Sequence, residues 1–297
     1  GEAVAIVAAD HPETARRAAQ LVEVVYDVLD PIADAEHAMF GDAAALHPEG
    51  NITRYVKIRH GNQQATADVV VRGTYEVGMQ DQAFLGPESG LAVPDDIGGV
   101  DLYISTQWLH VDRDQLARVL ALPEDQVRLT LAGVGGAFGA REDLSMQAHC
   151  CLLALHTGKP VKMMYSREES FFGHVHRHPA RLEYEHGANR DGKLVYIRCK
   201  LILDGGAYAS SSTAVCANAA CFSLGPYEVP NATIDSWVAY TNNPPCGAMR
   251  GFGAVQACFG YESQMDKLAD ALGIDPVEFR IMNAMQEGTI LPTGQVV

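Results

Sequence analysis

The sequence predicts a mixed α/β protein of the α+β type, and three stretches carry that prediction. Residues 127–165 read as strand, glycine-rich loop, helix and strand in succession. Residues 181–203 read as two strands around a turn at Asn189, Arg190, Asp191 and Gly192. A long helix with Tyr261, Met265, Leu268, Ala269 and Leu272 on one face follows a second glycine loop and stops at Gly273.

In chain order, residues 4–8 predict a buried strand, and Asp10 with Glu13 predicts a capping box for a helix whose apolar face is Ala15, Ala18, Ala19 and Val22. Residues 24–29 return as a strand. This β-α-β unit is too small to stand alone, and residues 1–9 and the final LPTGQVV both read as cut ends, so the sequence is expected to be a piece of a longer polypeptide. Residues 31–61, with little periodicity and scattered Gly and Pro, read as a linker or a long crossing segment.

Valines alternating with polar residues over 68–76 predict a strand, and residues 101–105 predict another. Asp112 with Gln115 is expected to cap a short helix carrying Leu116, Val119 and Leu120 that ends before Pro123. Residues 127–131 alternate as a strand, 133–140 form the glycine loop, 143–156 carry a helical apolar face and 161–165 form a strand. That succession predicts a right-handed parallel β-α-β crossover. Beyond the hairpin, the small-residue region 204–227 can wrap a ligand or cross a crowded core. Asp275 and Pro276 start a last helix in cap-then-proline fashion.

Composition removes several classes. At 297 residues the chain can bury one large core or two ordinary ones, and its net charge of −15 argues against nucleic acid or an anionic membrane as a partner. The seven Cys form no C-x-x-C pair and are odd in number, so neither a disulfide framework nor a zinc knuckle is expected, and a reduced, cytoplasmic setting is. No apolar run is long enough to span a membrane.

The chemistry is expected around the loop GVGGAFG. Residues without bulk let backbone approach a ligand, and N–H groups at a helix start attract an anion. Gly133, Gly135 and Gly139 nearly match a dinucleotide fingerprint, with Glu168 as the ribose-binding acid, but the spacing is G-x-G-x-x-x-G. A nicotinamide-dependent dehydrogenase is therefore one reading and a purely structural turn another. The second loop, CGAMRGFG at 246–253, also holds one Phe and one Arg, and two such loops are hard to explain as turns alone. His174, His176 and His178 would share a strand face and have metal-ligand spacing, but no Asp, Glu or Cys completes a tight cluster, which favours a solvated or hydrogen-bonded strand face. His149 and the methionines at 163, 164, 265, 282 and 285 suit structural positions. Ser210, Ser211 and Ser212 lack the nucleophile-elbow sequence.

With both loops in view, the sequence resembles the molybdenum-cofactor subunits of the xanthine dehydrogenase and aldehyde oxidase family. Residues 135–142 (GGAFGARE) look like the family's G-G-x-F-G-x-[KR]-E loop, residues 250–256 (RGFGAVQ) like R-G-F-G-x-P-Q, and residues 80–88 (QDQAFLGPE) like Q-x-x-x-Y-L-E-P-E. DGGAY, LGPYEVPN, DPVEFR and LPTGQ match too, and GAREDLSMQ is similar to the bacterial purine-catabolic branch. The resemblance implies that residues 1–45 are the tail of an α/β hammerhead domain, 46–66 a linker, and 67–297 the first of two molybdenum-cofactor-binding domains.

It also implies a molybdenum-pyranopterin cofactor, with the cytosine dinucleotide form as one option, and partner subunits carrying iron-sulfur centres and FAD. Neither nucleic acid nor a membrane is implied. The implied reaction is oxidative hydroxylation of a purine such as hypoxanthine or xanthine, or a related N-heterocycle; an aldehyde oxidase-type activity and a non-catalytic scaffold are the alternatives. Residue by residue, Gln80 would hydrogen-bond near the apical oxo ligand, and Gly135, Gly136, Phe138 and Gly139 would line the metal. Arg250 and Gly251 would lie at the cofactor by their backbone. Glu142 would orient a purine, Phe252 would stack on the substrate ring, and Asn218 stands where animal purine enzymes carry a substrate-binding Arg. Gly86 and Val255 replace the family's usual Glu and Pro, a change expected to affect packing. The family's general-base Glu belongs to a C-terminal motif outside these 297 residues, so this piece is expected to be inactive and to hold no molybdopterin.

Overall fold

The computed structural model describes residues 2–297. Its first elements are α1 (Pro12–Ala19), α2 (Ala35–Phe40), β1 (Ile52–His60), β2 (Val69–Val77), β3 (Ser89–Pro94), β4 (Val100–Ile104), α3 (Leu109–Leu120) and β5 (Val127–Leu131). They are followed by α4 (Gln147–Thr157), β6 (Val161–Met164), α5 (Arg167–Gly173), β7 (Ala180–Ala188), β8 (Leu194–Asp204), α6 (Ser212–Cys221), β9 (Ala232–Ala239), α7 (Ala254–Leu272) and α8 (Pro276–Asn283). The mixed α/β expectation holds. The chain divides into two compact units: unit 1 is Gly1–Asp30 with Asp81–His176, and unit 2 is Pro31–Gln80 with Arg177–Val297.

Unit 1 is built on a four-stranded sheet in the order β5-β4-β3-β6. β4 and β5 are parallel, and β3 is antiparallel to both β4 and β6. Leu102, Ile104, Leu116, Met146, Cys150, Cys151 and Ala154 fill the core between this sheet and helices α3 and α4. The expected parallel crossover is present, with β5 and β6 running the same way in one sheet but separated by two strands. Helix α4 begins at Gln147 rather than near Asp143, so the glycine loop does not feed its N-terminus. An anion cradle built on that helix start is lost.

Asp112 is a second correction. Helix α3 begins at Leu109, with Trp108 rather than Asp112 at its N-cap, and Asp112 is wholly buried in the first turn. Burial pushes its carboxyl up to about 6, against hydrogen bonds from Thr106 and Gln147, and nearby Asp143 adds to the rise. The folded state then binds this proton more tightly than the unfolded chain does. Stability from this group is present at low pH and is lost as pH rises from roughly 4, the unfolded value, through the folded value. Asp112→Asn is therefore expected to raise stability by about 1–3 kcal/mol at pH 7.5 and by almost nothing near pH 4, measurable by urea unfolding at both pH values.

The N-terminal expectation fails in its strands. Residues 4–8 and 24–29 form no strand, and Val25 is 99% exposed. Extended backbone counts as a strand only with a hydrogen-bonded neighbour, and none lies beside these segments among the described residues. The helix between them is present. Its N-cap is His11, whose ring nitrogen accepts from Glu13 N–H, rather than Asp10, and none of its residues is buried.

Unit 2 holds a five-stranded sheet in the order β1-β9-β8-β7-β2, antiparallel except for the parallel pair β8 and β9. The hairpin of β7 and β8 matches the prediction. Leu182, Leu201, Leu203, Val215, Ile234, Met265 and Leu268 fill the core that α6 and α7 close over this sheet. The predicted linker contains α2 and β1. Strand β1 hides in the sequence because it is an edge strand with Arg54, Lys57 and Arg59 among its residues, the kind of charged edge that resists pairing with other chains. Helices α7 and α8 end and start as predicted, at Gly273 in the left-handed conformation and at Asp275, whose carboxylate accepts from Val277 and Glu278 N–H.

Candidate functional site

In unit 1 the loop from Ala132 to Met146 carries the first set of predicted residues. Gly136, Phe138 and Gly139 all have positive φ (+97°, +55° and +107°), a conformation that costs glycine nothing but strains Phe138. A strained bulky residue that is also 50% exposed has not been placed there by core packing. Side-chain carbons added at Gly133 or Gly135 would meet nothing within 4 Å in the protein, so space rather than internal contact surrounds these two glycines.

Buried polar contacts hold this loop from behind. Gly139 N–H donates to Gln107 Oε1 at 3.0 Å, and the Arg141 carbonyl accepts from Gln107 N–H at 2.9 Å and Thr106 Oγ1 at 3.2 Å. The buried Arg141 guanidinium donates to Ser105 Oγ and to the Gly86 carbonyl, and lies 4.5 Å over the Phe84 ring. Between Arg141 and Asp143 stands half-buried Glu142. Burial, reinforced by the neighbouring Asp143 charge, raises its carboxyl above the ordinary glutamate value.

In unit 2 the corresponding loop has Gly251 and Gly253 at φ +72° and +82°. Gly253 admits no side chain, because a Cβ there would stand 2.3 Å from the Val215 carbonyl oxygen. Phe252 is half-buried against the unit 2 core, and its carbonyl accepts a long 3.5 Å bond from Asn218 Nδ2. Asn218, Phe252 and Gly253 are thus neighbours. Arg250 itself is exposed.

A residue that sequence reading passed over organises this loop. Arg177 is 5% exposed; its Nε donates to Gln80 Oε1 at 2.9 Å and its Nη2 to the Arg250 carbonyl at 3.0 Å. Backbone bonding repeats the link, since Arg177 N–H donates to the Gln80 carbonyl at 2.9 Å. Because the Gln80 oxygen is engaged, its amide nitrogen is the end left to present donors. Arg177 Nη1 is buried with no hydrogen-bond partner among the described residues, an uncommon state for a charged donor. The available signal was a single Arg inside the alternating histidines, just before Pro179.

Those histidines separate. His178 Nε2 lies 2.7 Å from Ser212 Oγ, which is also 3.3 Å from the Cys246 carbonyl oxygen. Burial, with Arg177 nearby, pulls His178 down to about 3 and keeps it neutral. His174 and His176 lie instead in unit 1 with Asp81, which corrects the expectation that no acid completes a cluster: the carboxylate comes from a segment distant in sequence.

Glu168 does not answer to a ribose-binding role. It is exposed in the first turn of α5, whose N-terminus is closed by the Ser166–Glu169 capping box. With β5 and β6 apart and α4 starting late, the geometry of a dinucleotide fold is missing from unit 1. The three serines are correspondingly structural or turn residues near α6, with Ser212 bonded to His178.

Taken separately, each unit has a feature that suits a polar, oxygen-rich group: the glycine loop of unit 1 has an open face, and in unit 2 Gln80 has an oriented amide and Arg177 an unpartnered buried N–H. No helix among the described residues is long and apolar enough to cross a membrane.

Comparison with known proteins gives the same picture. Residues 46–284 match the model of the molybdopterin cofactor-binding domain. The chain is 42% identical over 300 residues to the nicotinate dehydrogenase large molybdopterin subunit of Eubacterium barkeri, covering all of this chain and 71% of that one. It is 36% identical to the xanthine dehydrogenase molybdenum-binding subunit of Escherichia coli O157:H7, over 99% of this chain and 40% of the relative. The solved aldehyde oxidoreductase from Desulfovibrio gigas superposes with a TM-score of 0.92 at 30% identity, covering 97% of this chain and 32% of that one.

Proposed function

Because the chain belongs to the molybdopterin cofactor-binding domain family, with residues 46–284 matching its model, we propose that it is part of the catalytic subunit of a molybdenum hydroxylase acting on a purine or related N-heterocycle. The observation that carries this reading is the open, strained loop of residues 133–139 with a half-buried carboxylate, Glu142, at its end. Relatives named for nicotinate and for xanthine support a nitrogen heterocycle. Residues 1–45 are proposed as the tail of a hammerhead domain and 67–297 as the first cofactor-binding domain; residues 46–66, a linker by the sequence reading, include strand β1 of the unit 2 sheet and fall within the matched residues 46–284.

In this proposal the residues that would hold a molybdenum-pyranopterin, in its plain or cytosine dinucleotide form, are Gly135, Gly136, Phe138, Gly139, Gln80, Arg250 and Gly251. When bound, that group supplies the oxygen nucleophile and accepts the electron pair of the broken C–H bond. Gln80 would offer its amide N–H to the cofactor, and Arg177, bonded to the Gln80 oxygen, keeps that amide from flipping. Phe252 offers an aromatic face to the substrate ring, beside Asn218. Glu142, as a carboxylate, accepts a ring N–H and favours charge redistribution in the heterocycle. Partner subunits with iron-sulfur centres and FAD would carry the electrons away.

Assaying the assembled enzyme with hypoxanthine, xanthine, nicotinate and aldehydes tests the reading; oxidation of aldehydes alone would overturn the heterocycle assignment. Glu142→Gln is expected to lower kcat/KM for the heterocycle about a hundredfold while molybdenum content stays unchanged, a loss of ~2.7 kcal/mol in transition-state binding. The raised Glu142 carboxyl gives the pH dependence its sign. The accepting carboxylate is lost as pH falls, and this begins at a higher pH than for an unperturbed glutamate. The acid limb of kcat/KM should vanish in the Gln variant.

A further inference from the structure

Within unit 1, outside the loops described above, Asp81, His174 and His176 converge. Asp81 Oδ2 lies 3.0 Å from His174 Nε2 and 3.2 Å from His176 Nε2. The two imidazoles are stacked at 5.3 Å between centroids, and His176 Nε2 is also 2.9 Å from the Phe171 carbonyl oxygen. The other Asp81 oxygen is occupied, since Oδ1 accepts from Ala83 N–H at 2.6 Å, and that turn aims Oδ2 at the histidines. These groups are well covered: the side chains of His174, His176 and Asp81 are 1%, 8% and 19% exposed.

His174 Nδ1 is 2.9 Å from Glu88 Oε1. Asp81 Oδ2 and His174 Nε2 are both buried and have no hydrogen-bond partner among the described residues. A cation seated between these two atoms, 3.0 Å apart, would satisfy both.

We propose that Asp81, His174 and His176 bind a divalent transition-metal cation of the zinc type, with the Phe171 carbonyl as a fourth donor and Glu88 orienting His174 from behind. Two imidazole nitrogens and a carboxylate are a borderline-soft donor set that suits Zn2+ or Co2+ over Mg2+ or Ca2+. Donor separations of 3.0–3.2 Å are close to the edges of a tetrahedron with bonds of about 2.1 Å. A carboxylate behind a ligating histidine is the usual outer partner in such sites. Asp81 and His176 are the first and last residues of the unit 1 segment Asp81–His176, so the metal clips the two ends of that segment together. This site uses none of the residues proposed to hold the pterin, and its proposal does not depend on that reading.

The test uses the full chain, stripped with chelator and dialysed against Zn2+ or Co2+ at micromolar free concentration, with bound metal counted by elemental analysis. One equivalent is expected, with the visible absorption bands of four-coordinate Co2+ and a rise in Tm on metal addition. Asp81→Asn and His176→Gln should each weaken binding at least tenfold. Because His174 is the most buried of the three, these two variants avoid emptying the core, and their far-UV circular dichroism in the absence of metal should match the wild type. Cys221→Ser, which alters the exposed thiol, should leave binding unchanged. Less than a tenth of an equivalent bound, or equal binding by the Asp81→Asn and His176→Gln variants, would overturn the proposal.

Discussion

Replacing Arg177 with methionine is expected to lower kcat of the assembled enzyme at least a hundredfold with little change in KM. The side chain is buried and its fork engages two acceptors in different segments, Gln80 Oε1 and the Arg250 carbonyl. Methionine fills much of the volume but leaves both acceptors without their donor, and hydrogen bonds to charged groups are worth about 1.5–3 kcal/mol each. Gln80 then loses the bond that distinguishes its oxygen from its nitrogen, and the amide can turn an acceptor where a donor is needed. Lysine keeps the charge without the planar fork, so Arg177→Lys should recover only part of the activity. A double-mutant cycle separates positioning from mere stability. If Arg177 acts through Gln80, the pair Arg177→Met with Gln80→Leu loses no more activity than Gln80→Leu alone. Fully additive losses would remove the positioning role.

The second large effect divides the glycines into two kinds. Gly253→Ala is expected to cost more than about 3 kcal/mol, because at φ +82° the new carbon meets backbone, Val215 O at 2.3 Å and Ala219 N at 2.6 Å, and helix α6 cannot yield to it. For a chain of this size that is a fall in Tm of roughly 6–12 °C, with reduced soluble yield. Gly135→Ala meets nothing within 4 Å and has no positive φ, so its Tm should stay within about 2 °C of the wild type. Its activity should nonetheless fall, since the added methyl occupies the space that the proposed cofactor needs. Thermal melts beside turnover assays would show the split. A Gly135→Ala variant with full activity would mean that the open face of the loop takes no ligand.

The elements legible in the sequence are those whose signals are local. The β7–β8 hairpin announced itself by alternation around residues 189–192, and α7 and α8 by Gly273 and by Asp275 with Pro276. The loops of residues 133–139 and 246–253 were legible too, because glycine at positive φ leaves its mark on composition. What stayed hidden depends on distant partners. Strand β1 exists because β9 pairs with it, while residues 4–8 and 24–29 look equally extended but have no such neighbour among the described residues. Asp112 imitated a helix cap because only the fold shows that three further residues precede it in the helix. The histidines were read as a solvated or hydrogen-bonded face because the acid that joins two of them, Asp81, stands at the far end of the segment. Arg177 became visible only when Gln80 and Arg250, each far away in sequence, were found on its fork.

The strand order of unit 2 bears on how the chain acquires its shape during synthesis. β1 and β2 are consecutive in sequence but occupy opposite edges of the sheet, and the strands between them are β9, β8 and β7. β1 therefore has no partner until Ala239 has been made, and β2 waits for β7, which lies beyond the whole 81–176 segment. Long-range pairing of this kind folds slowly and exposes unpaired edges meanwhile. Arg54, Lys57 and Arg59 on β1 and Arg72 and Glu76 on β2 place charge along both waiting edges. On a ribosome releasing about 5–20 residues per second, those charges guard nascent edges for several seconds before their partners emerge.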